Sequence, residues 1–250
     1  IDKLTNGEIF ATDPGTASRT CLQNIFTGKW DNELIESFGL EENLLPKIIK
    51  TSDEYGKINH SEINSKSIKI NGDIVDSHAA LLAHGCLDSS KVKATYGTGA
   101  FIEINTGKKM IKPDGKLPIF IAWEFDRGIE YTIEGGVFSV GSAIDWFIKN
   151  NFIDNINNIS QISEKNIELD KFFMIPSFTG LSAPHWISKA KASFFGLSLN
   201  NNKEDFARAL LDVHFLFKSS AKFSQIMGPN LRFTSVISSK KKEGINPSFF

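Results

Sequence analysis

The stretch "KVKATYGTGAFIEINTGKK", residues 91–109, sets three Gly and three Thr among residues that otherwise suit a strand. Gly97-Thr98-Gly99 at its centre is compatible with two roles. Glycine lets backbone amides approach an anion, so the triplet can grip a phosphate; glycine also serves the tight bend of a hairpin. A second candidate is Asp76 in "GDIVDSHAALLAHGC", where a β-prone run ends at Val75 and an Ala-rich helix begins. A carboxylate beyond the carboxyl end of a strand stands where open α/β sheets bind ligands, and it is equally well placed to cap the helix by accepting a backbone N–H. Ser77 and His78 follow it, but adjacent residues at a helix start diverge in direction and cannot form a Ser-His-Asp triad by themselves. Among the five histidines, His78 and His84 are six apart and point to different helix faces, so no zinc site is expected.

The elements that must position these residues follow from periodicity and punctuation. Thr16–Phe26 and Asp31–Phe38 have helical spacing, the second with Asp31 as cap and Gly39 as stop. Residues 41–67 read as surface turns, with Leu44-Leu45-Pro46 packing inward. Residues 92–134 alternate with Gly at the bends and predict a meander of strands. Helices are predicted over Gly136–Asn150 and Asp205–Met227, separated by the punctuated loop "IPSFTGLSAPHW". The Asn-rich "NNFIDNINNIS" reads as solvated. Strand, acidic residue, helix, glycine-bent strands and a glycine-opened helix make an order that suits an α/β protein acting on a phosphate.

With 250 residues, 41% hydrophobic, the chain can bury a substantial core in one large domain or parts of two. Basic and acidic residues nearly balance, 28 against 29, which removes the electrostatic footprint expected for nucleic acid or an anionic membrane. Cys21 and Cys86 are too few for a disulfide scaffold or a cysteine metal site and suit a reducing, cytoplasmic setting. No apolar run reaches the roughly 18 residues of a membrane span. The chain opens on "IDKLTNGEIF" without Met, as a piece of a longer protein would.

Six collinear blocks extend these readings: "ATDPGTASRTCLQNIFTGKWDNELIESFGL", "LLPKIIKTSDEYG", "GDIVDSHAALLAHGC", "KATYGTGAFIEINTG", "IAWEFDRGIEYTIEGGVFSVGSAIDWF" and "IPSFTGLSAPHW". In this order and spacing, over roughly residues 1–213, the chain resembles the FGGY family of carbohydrate kinases, most of all its glycerol-phosphorylating branch. The resemblance implies a ribonuclease H-like (actin-like ATPase) α/β fold in a two-domain architecture, incomplete here. Residues 1–84 would close the substrate domain, and residues 85–250 would open the nucleotide domain, with a divergent tail from about residue 214. The implied reaction is ATP-dependent phosphorylation of a polyol hydroxyl, with glycerol as first-choice substrate. A ketopentose kinase, or a non-catalytic descendant acting as a binding module, is the alternative.

The family's roles carry over residue by residue. Asp76 matches the catalytic base, with Ser77 and His78 beside it at the substrate. Thr98, flanked by Gly97 and Gly99, matches a threonine on the nucleotide phosphates. Phe101 matches an aromatic residue on the polyol's carbon skeleton, and Gly141 and Asp145 match nucleotide-contacting positions. Core packing for Phe101 and close helix packing for Gly141 are the structural alternatives. Mg²⁺ would travel with ATP, held mainly by phosphates and water. The resemblance also implies a homo-oligomer in the full-length form.

Departures accompany the matches. Val75, Ser77 and His78 stand where the glycerol branch has Gly and two Gln, and Asp-x-His is shared with ketopentose kinases; Asp145 replaces a Gln, and Ile187 an Asp. The family's N-terminal phosphate hairpin would lie upstream of Ile1, and "VISSKKKEG" stands where an Asp-Gly-Gly turn would hold adenosine. "SSKKKEG" itself reads as a solvated turn. On this basis the segment alone is expected to be poorly soluble or oligomeric and not to turn over.

Overall fold

The computed structural model describes residues 1–63, 68–111, 115–154, 172–218 and 232–237, the last six and residues 213–218 by their backbone. By internal contacts the chain forms two compact units. The first comprises Ile1–Asp88, Ile104–Lys112 and Ile119–Ile133; the second comprises Ser89–Glu103, Pro113–Pro118 and Glu134–Phe250, as far as these are described.

The first unit opens with short elements. Strand β1 (Ala11–Thr12) pairs in parallel with β4 (Lys47–Ile48), and β2 (Gln23–Asn24) pairs antiparallel with β3 (Lys29–Trp30). Between β1 and β2 lies helix α1 (Pro14–Ser18), which starts with Pro at its first turn and Asp13 as cap. The helix expected over Thr16–Phe26 therefore ends at Ser18. The Thr20 hydroxyl donates to Ala17 O (2.7 Å) and accepts from Leu22 N (3.1 Å), and Cys21 turns the backbone to φ +62°. Asn24 Oδ1 then accepts Phe26 N (3.0 Å) and Thr27 N (3.3 Å), closing the β2–β3 bend. Side chains that satisfy the backbone locally compete with a helix, and here they win.

Helix α2 (Asn32–Ser37) matches the expected pattern: Asp31 Oδ1 accepts Glu33 N and Leu34 N, and Gly39 follows with φ +66°. Leu44 does not pack inward; it is 61% exposed. The segment before Asp76 is not a strand either. It is held by single bonds, among them Asp73 N to Thr51 O at 3.1 Å, and leads directly into helix α3 (Asp76–Ala83). Leu81 of α3 is buried with Cys86, Ala122 and Trp123.

Four longer strands follow: β5 (Lys91–Tyr96), β6 (Ala100–Gly107), β7 (Ile119–Phe125) and β8 (Gly128–Val137). With β11 (Arg232–Ile237) they make a sheet of order β11-β5-β6-β8-β7, in which β11 runs parallel to β5 and β7 antiparallel to β8. The expected strands are present, but not as a simple meander, because β8 lies between β6 and β7. β6 and β8 each give residues to both units.

In the second unit β8 continues to Val137, so helix α4 (Gly141–Lys149) begins later than the expected Gly136. A short pair, β9 (Phe173–Ile175) with β10 (Ser193–Phe195), precedes helix α5 (Lys203–Lys218). Ala143 and Phe147 of α4 pack with Phe172, Met174, Ala207 and Leu210, and the rings of Phe152, Phe194 and Phe206 complete an aromatic core. At the start of the Asn-rich segment Asn150, Asn151 and Asp154 are exposed, as expected, but Ile153 is 1% exposed and belongs to the core; residues 155–160 lie outside the described residues. The rest of the predicted helix beyond residue 218, and "SSKKKEG", lie outside them too. Among the described residues no helix is long and apolar enough to cross a membrane.

Candidate active site

In the first unit the candidates gather at the start of α3. Asp76 is its first residue; Val75 occupies the cap position and makes no side-chain cap bond. Asp76 thus stands one position inside the cap, from where its carboxylate still takes up an N–H of the first turn. Its carboxylate is exposed and accepts the Ser77 amide at 2.6 Å. Ser77 is half-buried and His78 fully buried.

Both are reached by a residue that sequence reasoning did not single out. Arg19 Nη2 donates to Ser77 Oγ at 3.2 Å and lies 3.2 Å from His78 Nε2, while its guanidinium sits 4.4 Å over the Phe120 ring. Arg19 belongs to the turn just after α1, and α1 is fixed to β7 by Ser18, whose hydroxyl accepts Ile121 N at 3.2 Å and donates to Gly15 O at 2.8 Å. Gly15 is sterically required. A Cβ there would lie 2.8 Å from Asp13 Oδ2, 2.9 Å from His78 Nδ1 and 3.1 Å from Ala122 O. Asp13, fully buried, accepts Gly15 N and Thr16 N, each at 2.9 Å. Burial pushes its carboxyl above the usual range, and the bonds from Thr16 and Gly15 oppose that shift. Arg19 stands in the quoted "ASRT", but its partners are 58 and 59 residues away, and no local spacing announces them.

In the second unit Gly97-Thr98-Gly99 connects β5 to β6, and the same loop docks on α4. Gly97 N donates to Gly99 O at 2.8 Å. Val140 N (2.9 Å) and Ser142 N (3.3 Å) donate to Thr98 O, and Gly141 N (3.1 Å) donates to Gly97 O. The three glycines then separate by cause. A Cβ on Gly141 would stand 2.5 Å from Gly97 O, and one on Gly99 2.7 Å from Val137 O, so packing alone demands glycine at both. Gly97 is exposed, and a Cβ there would meet only Gly99 O, at 3.9 Å. No packing constraint accounts for it.

Thr98 is exposed beside it. Phe101 is 37% exposed, and its ring lies over Gly136, where a Cβ would come within 2.8 Å of Cδ1. Gly136 is held in turn by Ser182, whose hydroxyl donates to Gly136 O at 2.7 Å from the predicted loop "FTGLSAPHW". Asp145 is exposed on α4, one turn beyond Gly141 and on the same face. Among the described residues no group of three or more His, Cys, Asp or Glu could hold a metal ion.

Comparison with known proteins identifies the family. The model for the FGGY family of carbohydrate kinases, N-terminal domain, matches residues 1–83, and that for the C-terminal domain of the same family matches residues 92–218. Glycerol kinase from Halothermothrix orenii is 37% identical over 213 residues, covering 85% of this chain and 43% of the relative; the Bacillus subtilis enzyme is 36% identical over 213 residues with the same coverage. The chain thus spans less than half the length of these relatives. Among solved structures, Plasmodium falciparum glycerol kinase with ADP superposes with a TM-score of 0.82 at 31% identity, covering 94% of this chain and 47% of that one. Gluconate kinase from Lactobacillus acidophilus shares the fold, with a TM-score of 0.82 at 21% identity over 97% of this chain and 50% of its own. The mixed α/β architecture is the expected ribonuclease H-like (actin-like ATPase) fold, and the chain belongs to the FGGY family of carbohydrate kinases.

Proposed function

We propose that the protein carrying this chain transfers the γ-phosphoryl group of ATP to a polyol hydroxyl, with glycerol as the substrate and glycerol 3-phosphate as the product. Residues 1–84 are read as part of the substrate domain and residues 85–250 as part of the nucleotide domain. The observation that carries the reading is Gly97: an exposed glycine without packing constraint, its own N–H held by Gly99 O, bears no side chain to keep an anion from exposed Thr98 beside it.

In this reading Asp76 takes the proton of the attacking hydroxyl while the new O–P bond forms and the bond to the β-phosphate oxygen breaks, releasing ADP. The carboxylate is exposed, and the Ser77 amide engages its Oδ1. Ser77 faces the substrate with it, and His78, being buried, supports that turn from behind. Phe101, partly exposed, is read as the aromatic residue on the polyol's carbon skeleton. Gly97, Thr98 and Gly99 meet the phosphates, with Gly141 and Asp145 nearby on α4 toward the nucleotide. Mg²⁺ bound by the phosphates would neutralise developing charge, and Asp145 would face that cation. We place the protein in the cytoplasm and expect a homo-oligomer.

A ketopentose substrate is the second reading, favoured by Asp76-x-His78. The two are separated by calorimetric titration with glycerol, erythritol, xylulose and ribulose. Glycerol preference is expected, and it should sharpen when Ser77 and His78 are both changed to Gln, because a site that hydrogen-bonds hydroxyls discriminates strongly among them. Binding of a ketopentose alone would overturn the glycerol assignment. Binding of none would overturn the polyol reading.

A further inference from the structure

We infer that Arg19 is the positioning residue of the turn that presents Asp76: it fixes the Ser77 hydroxyl and holds His78 in one neutral tautomer, with the proton on Nδ1. The first support is donor arithmetic. A guanidinium carries only donors, so an Nη2 atom 3.2 Å from His78 Nε2 requires a lone pair there, and the ring hydrogen must sit on Nδ1. The same Nη2 has two hydrogens and two acceptors in reach, Ser77 Oγ and His78 Nε2, both at 3.2 Å. One nitrogen therefore ties together the two residues that follow Asp76.

The second support is confinement. His78 is fully buried, so bulk water does not compete for Nε2, and Gly15 closes on its Nδ1 side so tightly that no Cβ fits. The guanidinium lies over the Phe120 ring, an arrangement that favours the cation and restricts its plane. Arg19 itself is anchored through α1, which Ser18 pins to β7. A chain of contacts thus runs from a rigid strand to the first turn of α3. Arg19 need not touch the substrate to decide how Ser77 is aimed.

The inference rests on the proposed function only in calling this turn substrate-binding, and the test keeps the two apart. The ring nitrogens of His78 are observed by proton–nitrogen correlation NMR at pH 7 in the whole chain, assigned by the signal lost in His78→Gln. The wild type should show an unprotonated Nε2 and a protonated Nδ1. Arg19→Lys, which keeps a donor, should retain that pattern, and Arg19→Met should lose it. Glycerol binding is titrated alongside, with affinity falling about tenfold in Arg19→Met and recovering in Arg19→Lys, while Mg-ATP affinity stays unchanged. A wild-type proton on Nε2, or a Met variant with the wild-type pattern and affinity, would overturn the proposal. Should the Met variant fail to fold, the wild-type tautomer and the Lys variant still decide it. If the wild type binds no polyol, the proposed function falls, while the tautomer still reports on Arg19.

Discussion

At the scale of single residues, glycines of one loop carry different obligations, and substitution separates them. Gly141→Ala would press a methyl group to 2.5 Å from Gly97 O, a backbone atom with little room to yield. Overpacking of this kind costs about 1–3 kcal/mol, so the melting temperature should fall. Gly97→Ala meets only a 3.9 Å contact, so stability should stay within about 0.5 kcal/mol of wild type. Mg-ATP affinity should fall nonetheless, because the methyl group obstructs the approach that the exposed backbone permits. Thermal melting and calorimetric titration of the two variants check both statements. Equal ATP affinity in Gly97→Ala and wild type would remove the phosphate role from this loop.

At the scale of elements, β5 and β6 contain an ion pair that the sequence pattern did not reveal. Lys93 and Glu103 form a salt bridge with each side chain 1% exposed. Taking one partner away leaves a buried charge without that counter-ion, which costs about 3–5 kcal/mol, whereas replacing both by apolar residues of similar volume is often neutral. Lys93→Met should therefore destabilise the protein strongly, and Lys93→Met with Glu103→Leu should recover most of the loss in chemical denaturation. The strands themselves were legible, because alternation and glycine bends are local signals. Their order was not, since nothing within "LPIFIAWEF" or "GIEYTIEGG" states which strand β6 will pair with. The false helix over Thr16–Phe26 has a comparable cause. Its apolar spacing fits a helix, but Thr20 and Asn24 satisfy the backbone in turns instead. Asp76, Thr98 and Gly97 stand out as candidates by type and position, while Arg19 does not, because its contact to Ser77 is made 58 residues away.

At the scale of the whole molecule, all three tyrosines resist ionisation. Burial raises the phenols of Tyr55, Tyr96 and Tyr131 above the ordinary value of 10.0, Tyr96 to about 12. Between pH 10 and pH 12 the unfolded chain has therefore already lost phenol protons that the folded chain keeps. Bound protons are then fewer in the unfolded state, so stability falls as pH rises through that window and is untouched by these groups below it. Tyrosinate absorbance at pH 10 should be lower in the folded protein than after denaturant is added at the same pH. The central claim, that Asp76 is the base of a polyol phosphorylation, is tested most directly in the protein as its gene encodes it. Glycerol and Mg-ATP are supplied, glycerol 3-phosphate and ADP are followed by phosphorus NMR, and glycerol binding is titrated in parallel for wild type and Asp76→Asn. The account predicts product from the wild type and none from the Asn variant, whose glycerol affinity stays within about tenfold, as expected for a group acting in the transition state. Turnover by Asp76→Asn at the wild-type rate would contradict it.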